Sequence, residues 1–116
     1  MIPYDEIDTE IVDLVRALNA IDGIETVSSC FGHGTEPCTI WLWVYGWDAL
    51  KRLTQKLAYE TRWILRVDLY GQNETNDGQD RLLFVLDSRT IDYKDNLIVV
   101  KRITQWLTMD GGEVDG

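Results

Sequence analysis

The chain has 116 residues, of which 45% are hydrophobic and 27% charged, a composition typical of one globular domain rather than of a disordered or fibrous protein. Twenty acidic residues against eleven basic ones give a formal charge of −9, which disfavours nucleic acid as a nonspecific partner. The longest apolar run, residues 40–45, is far shorter than the roughly 20 residues that a transmembrane helix needs, so we predict a single compact domain over residues 1–116 and no membrane span.

The first predicted element is an amphipathic helix over residues 7–21, where apolar side chains recur at intervals of three and four positions. Asp8 is its expected N-cap within an acidic, solvated start, and Gly23 suits a left-handed stop. A β-prone run follows at residues 24–29, and a second strand rich in β-branched and aromatic side chains covers residues 39–45. This second strand is apolar on both faces, which predicts a central position in the sheet.

A second amphipathic helix is predicted after Gly46 from the spacing of its leucines, and it should end near Thr61. Residues 63–70 then alternate in the manner of a half-buried strand. The side chains expected to point inward are Trp63, Leu65, Val67 and Leu69.

The last part of the chain begins with a polar stretch at residues 71–80, typical of a long hairpin loop, which leads into a strand at residues 81–88. A final helix is predicted over residues 94–108, although its segment 97–100 suits a strand equally well. The tail at residues 109–116 should fray. The resulting order, α-β-β-α-β-β-α, predicts an α+β fold with three helices on one face of a mostly antiparallel four-stranded sheet.

The most unusual stretch is the glycine turn between the first two strands, which offers candidate ligand-binding groups. These candidates are Ser28, Ser29, Cys30, Gly32, His33 and Gly34. Loops held by rigid strands commonly display binding groups. The alternating glycines indicate a backbone that bends sharply or approaches a ligand closely, and an ordinary tight turn explains them equally well.

Cys30, His33 and Cys38 lie within nine residues and suggest a thiol and imidazole centre. A structural zinc site takes four ligands and this cluster supplies three, so we predict no bound metal. The alternative is a catalytic metal site, which takes three protein ligands and keeps its fourth position open. A Cys30 thiolate activated by His33 would give a nucleophilic catalyst, whereas the alternative is that both cysteines are small buried side chains. We expect the His33 ring to be partly exposed, close to Ser29 or Cys30, and to line a concavity.

The chain contains five tryptophans, and Trp41 and Trp43 fall on one face of the second strand. Burial in the core is one explanation for them, because aromatic rings carry a large apolar area. The other explanation is a sheet face that stacks on a ring-bearing ligand or seals an interface with a second copy of the chain.

Residues 7–21 and the run Thr26-Val27-Ser28-Ser29-Cys30-Phe31-Gly32 resemble the N-terminal segment of the tRNA wybutosine-synthesis methyltransferase family, in which a helix precedes a Ser-Ser-Cys-x-Gly-Arg turn. Residues 40–44 are similar to that family's next strand, so the resemblance covers about the first forty-five residues. The resemblance implies S-adenosylmethionine as cofactor, a hypermodified guanosine of tRNA as substrate and an α/β fold. The matching positions are Ser28, Ser29, Cys30 and Gly32, while His33 stands where the family has arginine. The turn also resembles small uncharacterised bacterial and phage proteins that carry Ser-Cys-x-Gly-His-Gly.

The interpretation that the sequence favours is a small intracellular binding or regulatory domain, whose surface combines the turn with Trp41 and Trp43. Its partner would be a small molecule or a protein, including a second copy of the chain, and nucleic acid enters only through the family resemblance. The alternative is an enzyme, either a shortened relative of those methyltransferases or a catalyst based on Cys30 and His33. A start without signal-peptide features, together with two cysteines expected to be reduced, predicts a cytoplasmic setting.

Overall fold

The structure is a computed structural model that describes residues 6–68 and 81–109 and contains one four-stranded sheet with three helices. Its elements are α1 (Val12–Asn19), β1 (Ile24–Cys30), β2 (Thr39–Val44), α2 (Trp47–Lys56), β3 (Ile64–Val67), β4 (Leu82–Asp87) and α3 (Tyr93–Thr108). The predicted α+β class and the predicted order of elements are confirmed. The predicted loop at 71–80 and most of the predicted tail, residues 110–116, lie outside the described residues.

The sheet has the strand order β1-β2-β4-β3, and every neighbouring pair is antiparallel. β2 and β3 both run against β4, so they are parallel to each other, and α2 connects them as a split β-α-β unit with β4 inserted between its strands. β2 is an inner strand, as its apolar character on both faces predicts. β1 forms one edge of the sheet and is irregular between Thr26 and Ser28, a feature that natural sheets often use at an edge.

The hydrophobic core lies between the helices and one face of the sheet, which we call the helix face. Along β2, the side chains of Ile40, Leu42 and Val44 are buried on this face, while those between them are only half-buried. The helices contribute fully buried side chains to the same cluster, among them Leu14, Leu18, Leu53 and Ile103. Each such side chain stabilises the fold by about 1.5–3 kcal/mol relative to an exposed position, and this burial fixes which sheet face is left open.

The first helix begins later than its apolar pattern predicts, because a short 3-10 helix at Thr9–Ile11 precedes α1. Asp8 is the N-cap residue of this 3-10 helix, as predicted, but its side chain makes no capping hydrogen bond there. The Asp8 carboxylate instead accepts a hydrogen bond from the backbone N–H of Phe31, at 2.8 Å. The carboxylate therefore ties the start of the chain to the turn that follows β1.

β3 is shorter than predicted and less well buried at its end. Trp63, just before the strand, is buried as expected, but Leu65 is half-buried and Val67 is 40% exposed. Among residues 6–68 and 81–109, β3 is an outer strand of the sheet, so Val67 has a neighbouring strand there on one side only. The predicted inward position of Leu69 lies outside the described residues.

α3 includes the segment 97–100, which settles the ambiguity between helix and strand in favour of helix. Its N-cap is Asp92, whose side chain accepts a hydrogen bond from the backbone N–H of Asp95 at 2.9 Å. α3 is the longest helix of residues 6–68 and 81–109, and no helix there is long and apolar enough to cross a bilayer.

Candidate functional site

The predicted site residues separate into two groups according to the face of the sheet that they occupy. Residues directly opposite each other in an antiparallel pair share a face, and Ser28 is paired with Trp41. Cys30 and Trp43 lie two positions along their strands and therefore share that face. Ser29 is paired with the buried Ile40 and belongs to the helix face.

We call the face that carries Trp41 and Trp43 the open face, because the described helices pack on the other one. By register and contact its members are Glu25, Ser28, Cys30, Thr39, Trp41, Trp43, Tyr45, Ile64, Arg66, Asp68, Arg81, Leu83, Val85 and Asp87. Trp41 and Trp43 are both half-buried, and Val85, which lies between Trp41 and Arg66 in the register, is fully buried. The open face is thus a mixed aromatic and charged surface at the centre of the sheet.

One polar network on the open face is built around Arg81. Its guanidinium lies 3.8 Å from the ring centroid of Trp43 and donates a hydrogen bond to the Tyr45 hydroxyl at 2.9 Å. That hydroxyl in turn donates to the Glu25 carboxylate at 3.0 Å. The Arg81 cation thus covers one face of the Trp43 ring, and the Tyr45 hydroxyl links Arg81 to the Glu25 carboxylate.

A second set of polar contacts lies on the other side of the open face. The indole N–H of Trp41 donates to the Asp68 carboxylate at 3.0 Å. Arg66 and Asp87 form an ion pair of 3.3 Å between neighbouring strands. Both contacts hold charged side chains close to the sheet, so they limit the number of unpaired charges that a docking partner would have to cover.

The glycine turn takes a left-handed path over three consecutive residues, Gly32, His33 and Gly34, with φ values of 88°, 47° and 87°. The carbonyl oxygen of Gly32 accepts hydrogen bonds from the backbone N–H groups of Thr35 and Glu36, at 2.9 and 3.3 Å. A Cβ atom at Gly32 would lie 2.0 Å from the carbonyl oxygen of Glu36, whereas one at Gly34 would meet nothing within 4 Å. The turn therefore needs glycine at position 32 for space as well as for conformation.

The turn is held against the helix side of the molecule by Glu10, which joins two partners that are distant in sequence. Glu10 Oε1 lies 3.2 Å from Nε2 of His33, and Glu10 Oε2 accepts a hydrogen bond from the Tyr93 hydroxyl at 3.0 Å. The fully buried ring of Phe31 packs edge-on against the rings of both His33 and Tyr93. Glu10 is half-buried and partnered, so the prediction of a solvated acidic start is wrong at this residue.

The electrostatics of this contact favour an ionised carboxylate at Glu10. Its backbone N–H lowers the pKa of Glu10 most strongly, burial acts in the opposite direction, and the Tyr93 hydroxyl and His33 lower it further. The hydrogen bond that the Tyr93 hydroxyl donates to Glu10 raises the pKa of Tyr93, because it stabilises the protonated hydroxyl. The carboxylate thus acts as an acceptor that fastens both the turn and the start of α3.

The structure places His33 and Cys30 in different surroundings. The His33 side chain is 52% exposed, which confirms the predicted partial exposure, and its hydrogen bond within the described residues is to Glu10 rather than to Ser29 or Cys30. Cys30 ends β1 on the open face and is half-buried. The imidazole is therefore already engaged by a carboxylate on the helix side.

Cys38 is a core residue, as one of the sequence alternatives proposed. It is fully buried, and burial, together with weaker repulsion from Cys30, Asp8 and Asp87, raises the pKa of its thiol to about 12. At neutral pH this thiol is protonated and does not act as a nucleophile. Among the described residues, no three His, Cys, Asp or Glu side chains are grouped so that they could hold a metal ion.

Sequence reasoning missed Glu10 and Tyr93, which complete the environment of the turn, and Arg66 and Arg81, which complete the open face. Glu10 and Tyr93 are separated by 83 positions, so no local pattern connects them. The arginines carried a weak signal, since each lies in or beside a predicted strand next to apolar residues.

Three comparisons of the chain with known proteins, by family model, by curated sequence and by solved structure, found no match. The resemblance to the wybutosine-synthesis methyltransferases stays a prediction from the sequence, and so does the binding of S-adenosylmethionine that it implies.

Proposed function

We propose that the chain is a small binding domain that docks a second copy of itself on the open face of the sheet. The observation that carries the proposal is the pair of half-buried tryptophans, Trp41 and Trp43, on an inner strand of a face that the described helices leave open. The centres of protein interfaces are enriched in tryptophan, tyrosine and arginine, and Tyr45, Arg66 and Arg81 surround the pair.

The charge of the open face supports a second copy as the partner. The face carries three carboxylates, Glu25, Asp68 and Asp87, and two guanidiniums, Arg66 and Arg81, so its formal charge is −3 + 2 = −1. The whole chain carries −9. Most of the negative charge that would oppose association of two identical chains therefore lies outside the open face. The charged groups on the open face have hydrogen-bond partners there, which reduces the cost of removing them from water.

The dimensions of the sheet also suit a dimer. The four strands lie about 4.8 Å apart and rise roughly 3.3 Å per residue. They are four to seven residues long, so they present a face of about 20 by 20 Å. Side chains raise the accessible area above this flat value, to within a factor of two of the roughly 800 Å² per partner that stable interfaces bury. Two such faces can pack about 10 Å apart, as paired sheets do in a β-sandwich.

Sedimentation equilibrium from roughly 1 to 100 µM protein tests the proposal directly, because this range brackets weak and moderate dimers. We expect a monomer–dimer equilibrium in the unmodified chain. Ser28→Arg places a long charged side chain beside Trp41 without removing any core contact, since Ser28 is exposed. Burying this unpaired charge should weaken the dimer at least about 100-fold.

The matched control is Gln55→Arg, which adds the same charge at an exposed position of α2. This variant should associate as the unmodified chain does. A chain that stays monomeric over the whole range would contradict self-docking, and a dimer that is equally stable with Ser28→Arg would place the interface elsewhere.

A further inference from the structure

A polar cavity of about 320 Å³ lies away from the open face, between the start of β3, the end of β4 and the first turn of α3. Its walls include Arg62, Trp63, Ser88, Arg89, Asp95 and Asn96. The cavity is close to the lower size limit of small-molecule sites, which commonly measure about 300–1,000 Å³. It combines two arginines with buried polar side chains.

Two residues that line the cavity each have one buried polar atom with no hydrogen-bond partner within the described residues: the indole N–H of Trp63 and the side-chain carbonyl oxygen of Asn96. Trp63 is 4% exposed and Asn96 is 1% exposed. The Asn96 amide nitrogen donates to the backbone carbonyl of Thr90 at 2.9 Å, which fixes the orientation of the amide and identifies its oxygen as the unpaired atom. Buried polar groups are nearly always paired in folded proteins, so this pair indicates a missing acceptor for Trp63 and a missing donor for Asn96.

The charge in the cavity favours an anion. Arg62 is paired with Asp95, whereas the exposed Arg89 adds a second guanidinium to the wall. The cavity also adjoins the first turn of α3, where the Asp92 side chain already caps the helix, so its positive charge comes from the two arginines. Arg89 has a φ of 66°, a left-handed conformation that is costly for a residue with a side chain. Its backbone N–H donates to the Asp87 carboxylate at 2.8 Å.

We infer that this cavity binds a small α-amino or α-hydroxy acid. The carboxylate of such a ligand lies beside Arg89, and one of its oxygens accepts the hydrogen bond of the Trp63 indole. The ammonium or hydroxyl group on the neighbouring carbon donates to the Asn96 oxygen. A simple carboxylate lacks that donor and leaves the Asn96 oxygen unpaired, so the site discriminates against it.

NMR titration of the ¹⁵N-labelled full chain with L-serine, L-lactate and acetate tests the inference. The Trp63 indole signal, identified by its loss in Trp63→Phe, reports on the cavity directly. We expect L-serine or L-lactate to shift this signal in a saturable manner, with acetate at least about tenfold weaker because it has no second donor. Saturation by L-serine alone identifies an amino acid as the ligand, and saturation by L-lactate alone identifies a hydroxy acid.

Two variants separate a ligand site from a structural role. Arg89→Gly relieves the left-handed backbone and should not lower the midpoint of chemical denaturation. Trp63→Phe removes the unpaired donor but leaves a smaller ring in the core, so its midpoint should fall modestly while far-UV circular dichroism shows that the fold is kept. Both should weaken binding of the preferred acid at least about tenfold, monitored for Trp63→Phe by the backbone signals of Asn96 and its neighbours. Arg52→Gln, remote from the cavity on α2, should bind as the unmodified chain does.

The inference fails if neither L-serine nor L-lactate produces a saturable shift, since the unpaired atoms would then be served by water alone. It also fails if acetate binds as tightly as the preferred acid, or if both variants bind as tightly as the unmodified chain.

Discussion

Replacing Gly32 by alanine should destabilise the fold much more than the same replacement at Gly34. The two glycines have nearly equal φ values, 88° and 87°, so the conformational cost of placing a side chain in the left-handed region is the same at both positions. That cost is about 1 kcal/mol. The two sites differ only in the space around the added methyl group, which makes them a matched pair.

The surroundings of Gly32 set the size of the additional loss. A Cβ atom there would lie 2.0 Å from the carbonyl oxygen of Glu36 and 3.1 Å from that of Pro37, and both atoms belong to the backbone. The turn must therefore open, which breaks the hydrogen bonds that the Gly32 carbonyl accepts from Thr35 and Glu36. At about 1 kcal/mol for each hydrogen bond, Gly32→Ala should cost about 3 kcal/mol in total, against about 1 kcal/mol for Gly34→Ala.

Urea denaturation followed by tryptophan fluorescence measures both free energies of unfolding, and far-UV circular dichroism shows whether each variant retains the fold. A difference of about 2 kcal/mol moves the midpoint by roughly 1 M when the slope is about 2 kcal/mol per molar. Equal losses at Gly32 and Gly34 would refute the tight contact with Glu36, and a larger loss at Gly34 would show that the path of the turn is different.

Other outcomes follow from burial and charge. Leu53→Ala should lower the free energy of unfolding by about 2–5 kcal/mol, since Leu53 is fully buried, while Gln55→Ala on the exposed side of the same helix should change it by less than about 0.5 kcal/mol. The Cys38 thiol should be alkylated only after unfolding, which mass spectrometry at mildly alkaline pH detects. Burial is the largest single influence and raises the pKa of Glu60, but the hydrogen bonds from Arg102 and from the Arg62 backbone N–H, with the charges of both arginines, together outweigh burial and lower the net pKa. The ionised Glu60 carboxylate therefore stabilises the fold fully above its unfolded pKa of about 4.3, and this stabilisation is lost as pH falls through the lower folded pKa. Glu60→Gln should flatten the acid side of the plot of unfolding free energy against pH.

The fold could be predicted from the sequence because its elements depend on local patterns. Apolar spacing of three and four marks the helices, and the run 39–45 predicts an inner strand because it is apolar on both faces. The boundaries were less accurate where the sequence pattern continues past the element. Leu57 continues the helical spacing of apolar residues, yet α2 ends at Lys56. Beyond this end, the Glu60 carboxylate accepts hydrogen bonds from Arg102 on α3.

The candidate site was only partly predictable, because its residues meet through the register and through long-range contacts. Alternation along a strand places Trp41 and Trp43 on one face, but it does not show that Ser28 joins them while Ser29 faces the core. That result depends on the irregularity of β1 after Thr26, which changes the register by one residue and reverses the side chains that follow. The contacts of the turn with the helix side likewise depend on the folded arrangement.

Asp87 connects the open face with the polar cavity, because its two carboxylate oxygens have different partners. Oδ2 accepts the hydrogen bond of Arg66 on the open face, and Oδ1 accepts the backbone N–H of Arg89 in the cavity wall. Docking of a second copy that moves Asp87 therefore also moves the backbone that positions Arg89. Such coupling is reciprocal for binding free energies, so an acid that tightens the dimer must itself bind the dimer more tightly by the same factor. Equal dimer constants with and without a saturating acid would instead show that the two surfaces act independently.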